Sequence, residues 1–210
     1  MIDQIYLDFD NTLYNTVALS KDIERVFLLS GLNQEQFNET MKQATEGKDG
    51  QFFNYSFEHH IALCSEKGYV VASDTLQKLE RTIAQDHIFI DGYEFLSWVR
   101  EHAHRVYLLT AGNPDFQMKK IATTRIAEFV DDIIICHHSK QEEVATRLGT
   151  ANKVVFVNDK VKENMDVQKK LPNVVVITKK HPHRETEEAL LASGIPYFGT
   201  LMEIQQYLQK

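Results

Sequence analysis

Ile5-Tyr6-Leu7-Asp8-Phe9-Asp10-Asn11-Thr12-Leu13 sets two carboxylates at the end of an apolar run. Ile5–Phe9 is almost continuously apolar or aromatic, which is how a strand buried on both faces of a parallel sheet reads. Asp8 and Asp10 are two positions apart, so on a strand their side chains share a face. In open α/β sheets, ligands bind just beyond the carboxyl ends of the strands. Two acids converging there repel each other unless a cation joins them. Asp and Asn also favour turns, so a plain capping role for the pair is the competing reading.

Four further apolar runs have the same character: Arg105–Thr110, Ile133–Cys136, Val154–Val157 and Val174–Thr178. From residue 92 onward they alternate with helical patterns. Tyr93–His102 places Phe95, Leu96 and Val99 on one side, and Asp115–Phe129 follows Pro114 and repeats Met118, Ile121, Ala122 and Ile126. Residues 140–148, 162–171, 184–193 and 201–208 supply four more helices. This alternation predicts an α/β fold: a Rossmann-like open parallel sheet of five or more strands with helices on both faces. Residues 15–89 break the rhythm and read as helices only. Thr16–Leu29 carries Leu19, Ile23, Val26 and Phe27; Asn33 caps a helix bearing Phe37, Met41 and Ala44; another spans Phe52–Lys67; Ser73 caps one bearing Leu76, Leu79 and Ile83. The expected organisation is a core of residues 1–14 and 90–210, with an α-helical cap, 15–89, inserted after the first strand.

Each remaining strand end is polar. The second runs into Thr110-Ala111-Gly112-Asn113, a hydroxyl followed by backbone N–H groups before a helix, a plausible phosphate cradle. The third is followed by His137-His138-Ser139-Lys140, and the fourth by Asn158-Asp159. Taken singly, a strand-end Thr or a Lys before a helix is ordinary. Their joint placement at one sheet edge is what points to a site.

Composition narrows the partners. Of 210 residues, 23 are Lys or Arg and 30 are Asp or Glu, giving a net charge of −7. That disfavours a nucleic acid polymer or an anionic membrane as partner and leaves a small anion possible. No apolar run reaches the length of a membrane span, and Met1-Ile2-Asp3-Gln4 lacks the basic start of a signal peptide. Cys64 and Cys136 form no CxxC pair and suit buried free thiols in a cytoplasmic protein. The histidine pairs His59-His60, His102/His104, His137-His138 and His181/His183 show no helical zinc spacing and read as solvated or capping groups. His137 and His138 lie nearest the expected mouth.

These residues resemble the motif set of the haloacid dehalogenase (HAD) superfamily of hydrolases, subclass I with a helical cap. DxDx[TV] is matched at Asp8-Phe9-Asp10-Asn11-Thr12, the second motif at Thr110, the third at Lys140 and the fourth at Asp159. The wording DFDNTLY is similar to the DLDNTLY of pyrimidine 5′-nucleotidase relatives. The resemblance covers roughly residues 1–14 and 90–200; the cap matches only in position and length. It implies a Mg²⁺-dependent phosphatase that hydrolyses a small phosphorylated metabolite, such as a nucleotide or sugar phosphate, through an aspartyl-phosphate. Asp8 is then the nucleophile and Asp10 the general acid and base. Thr110 with Ala111, Gly112, Asn113 and Lys140 binds the phosphate, and Asp8, Asp159 and the Asp10 carbonyl hold the metal. Dehalogenases resembling this family lack the acid two positions after the nucleophile.

Three departures stand out. Asn158 precedes the metal Asp where Gly or Asp is usual. Asn164 stands where a second acid is frequent. Gln141 replaces a common Pro after Lys140, which leaves Lys119 or Lys120 as alternatives to Lys140. Competing functions are a HAD-like binding protein with little or no turnover, a phosphomutase, or a phosphonatase, which needs a cap lysine such as Lys48 or Lys67. A receiver-type signalling module fits poorly, because the third strand ends in Cys136 and His137 with no Asp.

Overall fold

The strand carrying Asp8 lies at the middle of the molecule's sheet. A computed structural model describes residues 1–46, 55–136, 138–181 and 184–210. In chain order its elements are β1 (Ile2–Leu7), α1 (Thr16–Leu29), α2 (Gln34–Thr45), α3 (Phe57–Glu66), α4 (Thr75–Ile83), α5 (Gly92–His102), β2 (Ala103–Ala111), α6 (Pro114–Ala122), β3 (Asp132–Cys136), α7 (Lys140–Arg147), β4 (Val154–Asn158), α8 (Val161–Lys170), β5 (Val174–Lys179), α9 (Glu187–Ser193), β6 (Tyr197–Phe198) and α10 (Leu201–Leu208). The sheet is parallel, with strand order β3-β2-β1-β4-β5-β6. Leu7 is level with Leu108 on one side and with Val157 on the other. The chain first builds outward from β1 through β2 and β3, then crosses back to lay β4 on the opposite side of β1. The crevice at such a switch point, between the carboxyl ends of β1 and β4, is where open α/β sheets bind ligands.

The interior follows from the apolar runs. Ile5, Tyr6, Leu7, Val106, Leu108, Leu109, Val155, Phe156, Val157 and Ile177 are all fully buried. That burial on both faces is why these segments lack the alternation of a half-exposed sheet.

The chain divides into two compact units. One comprises Met1–Asn15, Ile88–Thr110 and Arg125–Lys210; the other comprises Thr16–His87 and Ala111–Thr124. Ala111–Thr124, with α6, thus belong to the helical unit rather than to the sheet unit in which the sequence placed them. Tyr55 and Phe57 each meet Phe116 of α6 edge-on, with ring centroids 5.1 Å apart. Apolar periodicity marks α6 as amphipathic but not which unit it covers. Residues 47–54, including Lys48 and the Phe52-Phe53-Asn54 stretch, lie outside the described residues, as do His137 and His183.

Local chemistry sets several boundaries. Asn33 caps α2 in a reciprocal box: its side chain accepts from Gln36 N at 2.9 Å, and the Gln36 side chain accepts from Asn33 N at 3.0 Å. Asp74, not Ser73, holds the cap position of α4. The helix expected over 115–129 ends at Ala122, where the Thr123 and Thr124 hydroxyls bond back to the Lys120 and Ile121 carbonyls at 2.8 Å, and a 3₁₀ turn follows at Ile126–Glu128. The helix expected over 184–193 starts later, because Thr186 is its cap and accepts from Ala189 N. Arg184 is thereby left in the loop before α9. β6 is two residues long, too short to show a period.

Candidate active site

β1 ends at Leu7, but its ladder continues one step further, with Asp8 N donating to Val157 O at 2.9 Å. The backbone then curls. Asn11 takes a left-handed φ of 60°, and the N–H groups of Thr12, Leu13 and Tyr14 converge on the Phe9 carbonyl at 3.3, 3.0 and 2.9 Å. Asn tolerates this conformation better than most residues. Asp10 therefore sits in the turn, bridged to Tyr14, and the same-face argument for Asp8 and Asp10 does not apply. The turn itself brings Thr12 back onto Asp8: Thr12 Oγ1 donates to Asp8 Oδ2 at 3.0 Å.

Lys140 opens α7 and reaches the same carboxylate. Its Nζ lies 2.6 Å from Asp8 Oδ1, 2.9 Å from Asn158 Oδ1 and 3.0 Å from Glu163 Oε2. An ammonium has three N–H donors, and here each has an acceptor. Burial alone works against the Lys140 charge, but Asp8 and Glu163 beside it hold its pKa above the usual lysine range. Burial likewise raises the Asp8 pKa, opposed by Lys140. Glu163 is also penalised by burial, yet Lys140 and Lys160 pull its pKa down to about 2. The alternatives to Lys140 lie in the helical unit, where Lys119 pairs with Glu80 at 2.8 Å and Lys120 Nζ stands 5.7 Å from the Phe116 ring centre.

Asp159 follows β4 and is 1% exposed. Its Oδ2 accepts from Arg184 Nη1, whereas its Oδ1 is buried with no hydrogen-bond partner. Burial, and then the nearby Asp8 charge, raise its pKa to about 7 against the opposing pull of Arg184 and Lys140. A buried carboxylate oxygen without a donor, beside a second buried carboxylate, is the situation a hard cation relieves. Among the described residues no group of three or more His, Cys, Asp or Glu is placed to hold a metal. The buried carboxylates of Asp8 and Asp159 are the oxygen donors that such a cation would find here.

Asn158 and Asn164 bond to each other. Asn158 Nδ2 donates to Asn164 Oδ1 at 2.9 Å, and Asn164 Nδ2 donates to Asn158 O at 3.1 Å and Thr178 Oγ1 at 2.8 Å. Asn164 thus ties α8 to β4 and β5. Glu163, one position before Asn164, is an acid that pairs with both Lys140 and Lys160. Thr110 is fully buried near the end of β2, and Asn113 caps α6 by accepting from Phe116 N at 3.0 Å. Ala111, Gly112 and Asn113 belong to the helical unit. The Ser139 Oγ, just before Lys140, is buried without a partner, as is Asn11 Oδ1. Unsatisfied polar atoms therefore follow β1, β3 and β4 alike.

No family model matches the chain, and neither does any curated protein. Solved structures do match. A protein described as the HAD-hydrolase YfnB from Bacillus subtilis, bound to magnesium, aligns with TM-score 0.64 and 14% identity over 100% of this chain and 99% of that one. A protein described as a β-phosphoglucomutase from Thermotoga maritima gives 0.69 and 14% over 99% of both chains. The L-2-haloacid dehalogenase from Xanthobacter autotrophicus gives 0.63 and 16% over 100% of this chain and 99% of that one. The chain has the HAD fold.

Within the HAD fold of this chain, three groups at the site escaped the sequence reading. Thr12 lies inside the first motif but was matched only as a pattern letter. Glu163 carries a legible signal: it stands three positions after Lys160 on a helix, the spacing of an ion pair, measured at 2.8 Å. Arg184 had none, because it arrives through a loop that the sequence read as helix. Among the described residues, no helix is long and apolar enough to cross a membrane.

Proposed function

We propose that the chain is a magnesium-dependent phosphatase of small phosphomonoesters. The observation that carries this reading is the pair of buried carboxylates at the switch point: Asp8 held by Lys140 and Thr12, and Asp159 with one oxygen unsatisfied. An Asp8 oxygen attacks phosphorus in line, forming the aspartyl-phosphate as the bond to the ester oxygen breaks, while Asp10 gives its proton to that leaving oxygen. Asp10 then takes a proton from water, whose oxygen attacks the phosphorus and releases Asp8 and inorganic phosphate. Lys140 stabilises charge on the nucleophile and phosphoryl oxygens, and Thr110 donates to the latter. Magnesium held by Asp8, Asp159 and the Asp10 carbonyl would supply charge neutralisation between nucleophile and phosphate. The substrate is a small phosphorylated metabolite, with nucleotides and sugar phosphates as the classes to test. A reducing cytoplasmic setting suits the buried free thiols of Cys64 and Cys136.

The test is hydrolysis of p-nitrophenyl phosphate by wild type and Asp8→Asn, with magnesium and with excess EDTA. The reading expects turnover only in wild type with magnesium. Turnover that survives Asp8→Asn removes Asp8 as nucleophile, and full activity in EDTA removes the metal. A panel of nucleoside monophosphates and sugar phosphates then assigns the substrate class.

A further inference from the structure

Lys140 and Arg184 contact the two most deeply buried acids of the site, Asp8 and Asp159, and they are held very differently. Lys140 has a side chain 4% exposed, and all three of its donors are engaged. Arg184 comes from the loop before α9, is 36% exposed, and reaches Asp159 through one nitrogen. A guanidinium carries five N–H donors in a rigid fork that matches carboxylates two at a time. Here it makes a single end-on contact with a carboxylate that is itself sealed. Among the described residues, Lys140 is built into the core and Arg184 is not.

Charge arithmetic makes this contact consequential. Asp8, Asp159 and Glu163 already face Lys140, Lys160 and Arg184, and the buried Lys179 lies within electrostatic reach of Asp159 as well. A divalent ion entering beside Asp8 and Asp159 brings two more positive charges into a largely dry pocket. Coulomb repulsion falls only as the inverse of distance, and a guanidinium one carboxylate away is close. Of these cations, Arg184 is the one that contacts Asp159 directly, and it does so from a partly exposed side chain with a single nitrogen. Were Arg184 instead an orienting group that aims the free Asp159 Oδ1 at the metal, its loss would weaken metal binding. The full charge it carries outweighs what one hydrogen bond can contribute by orientation. The two roles therefore predict opposite signs.

We propose that Arg184 is an exchangeable cation, which neutralises Asp159 in the metal-free protein and competes with the divalent ion for that carboxylate. This rests on the reading of Asp159 as a metal ligand. Arg184 then sets the metal concentration at which the site loads.

The test uses the full chain and Mn²⁺ as the probe, with free Mn²⁺ counted by electron paramagnetic resonance. Arg184→Gln is expected to bind Mn²⁺ at least tenfold more tightly than wild type. Arg184→Lys, which keeps the charge, should stay within about threefold, and the surface control Arg125→Gln should not change. Equal or weaker binding by Arg184→Gln overturns the proposal while leaving Asp159 as a ligand. Failure of both wild type and Arg184→Gln to bind Mn²⁺ overturns the metal assignment and this proposal together. A second readout needs no variant: trypsin should cut wild type after Arg184 faster when Mn²⁺ is saturating, because the side chain is then free to enter the protease. Unchanged or slower cutting overturns the exchange.

Discussion

Each unit of the molecule buries a polar knot, and the two are opposite in kind. In the helical unit, His60 is fully buried between Tyr55 and Thr40. The Thr40 hydroxyl donates to the Gln36 carbonyl at 2.9 Å, so it can only accept from His60 Nε2 at 2.9 Å. His60 Nδ1 is then left to accept from the Tyr55 hydroxyl at 3.1 Å. One neutral tautomer satisfies the whole set, and burial, followed by the His59 charge, drives the His60 pKa down to about 4. In the sheet unit, three acids and three cations fill the knot, and one oxygen of Asp159 goes without a donor. A neutral, fully paired cluster costs little and specifies packing. A charged, unevenly paired one is kept where chemistry needs it. The contrast separates architecture from function without reference to any relative.

The largest expected effect breaks the charged knot at its centre. Asp8→Asn keeps the side-chain volume but removes the carboxylate proposed as nucleophile, and on that proposal phosphatase turnover should fall by about 10³-fold or more. Circular dichroism should report an unchanged fold. Next is Lys140→Met. It leaves buried Asp8 without its cation, while Glu163 keeps Lys160, which should cost about 3–5 kcal/mol in urea denaturation at pH 8. Burial already favours protonated Asp8, so the loss should shrink as the pH is lowered. A Lys140→Met protein as stable as wild type at pH 8 would mean that the ion pair is not formed.

The neutral knot predicts a smaller, pH-dependent effect. His60 has a folded pKa of about 4 against a usual 6.5, so the native state binds fewer protons than the unfolded chain between these values. Its contribution is complete above about pH 6.5 and is lost as the pH falls toward 4, roughly 3 kcal/mol in total. Asp159 has the opposite sign. Its pKa is raised to about 7, so the native state binds the extra proton, and stability is lost as the pH rises from about 4 through 7. His60→Gln preserves a donor and an acceptor but cannot titrate. Stability measured from pH 7 to pH 4 should therefore lose about 3 kcal/mol less in this variant than in wild type. Equal acid sensitivity in the two proteins would show that His60 is not held neutral.

The two carboxylates Asp8 and Asp159 are the legible part of the charged knot, because they sit where apolar strands stop. Lys140 follows its strand at a distance of four residues and is recognisable only together with the other strand ends. For Asp10 the sequence leaves both a same-face acid and a turn residue open, and the left-handed Asn11 that decides for the turn leaves no periodic trace. Arg184 and Glu163 were hidden for different reasons. A loop residue has no period to reveal its target, and a helical Glu beside a Lys reads as a surface pair until packing buries it. α6 shows the same limit at the level of units. Met118, Ile121 and Ala122 mark its apolar face, while the ring contacts to Phe116 that join it to the helical unit depend on distant residues. His60 gave the least warning, since the doublet His59-His60 is identical in type and only burial distinguishes its halves.

The smallest expected effect tests whether the helical unit is stabilised by local signals as well as by its rings. Asn33→Ala removes the acceptor for Gln36 N, and with it one half of the box, while the Gln36 side chain can still accept from the backbone of residue 33. Both bonds are exposed, so water replaces much of what is lost. The expected cost is about 1 kcal/mol, seen as a lower urea midpoint with an unchanged slope. Phosphatase turnover at saturating substrate should stay within twofold, because no group of the charged knot is touched. Asn33→Asp keeps an acceptor and adds a negative charge at the helix start, so it should match or slightly exceed wild-type stability. If Asn33→Ala and Asn33→Asp were equally stable, the start of α2 would be fixed by the Phe27–Phe37–His60 stack beneath it. The capping box would then be a consequence of that packing and not a cause of the helix.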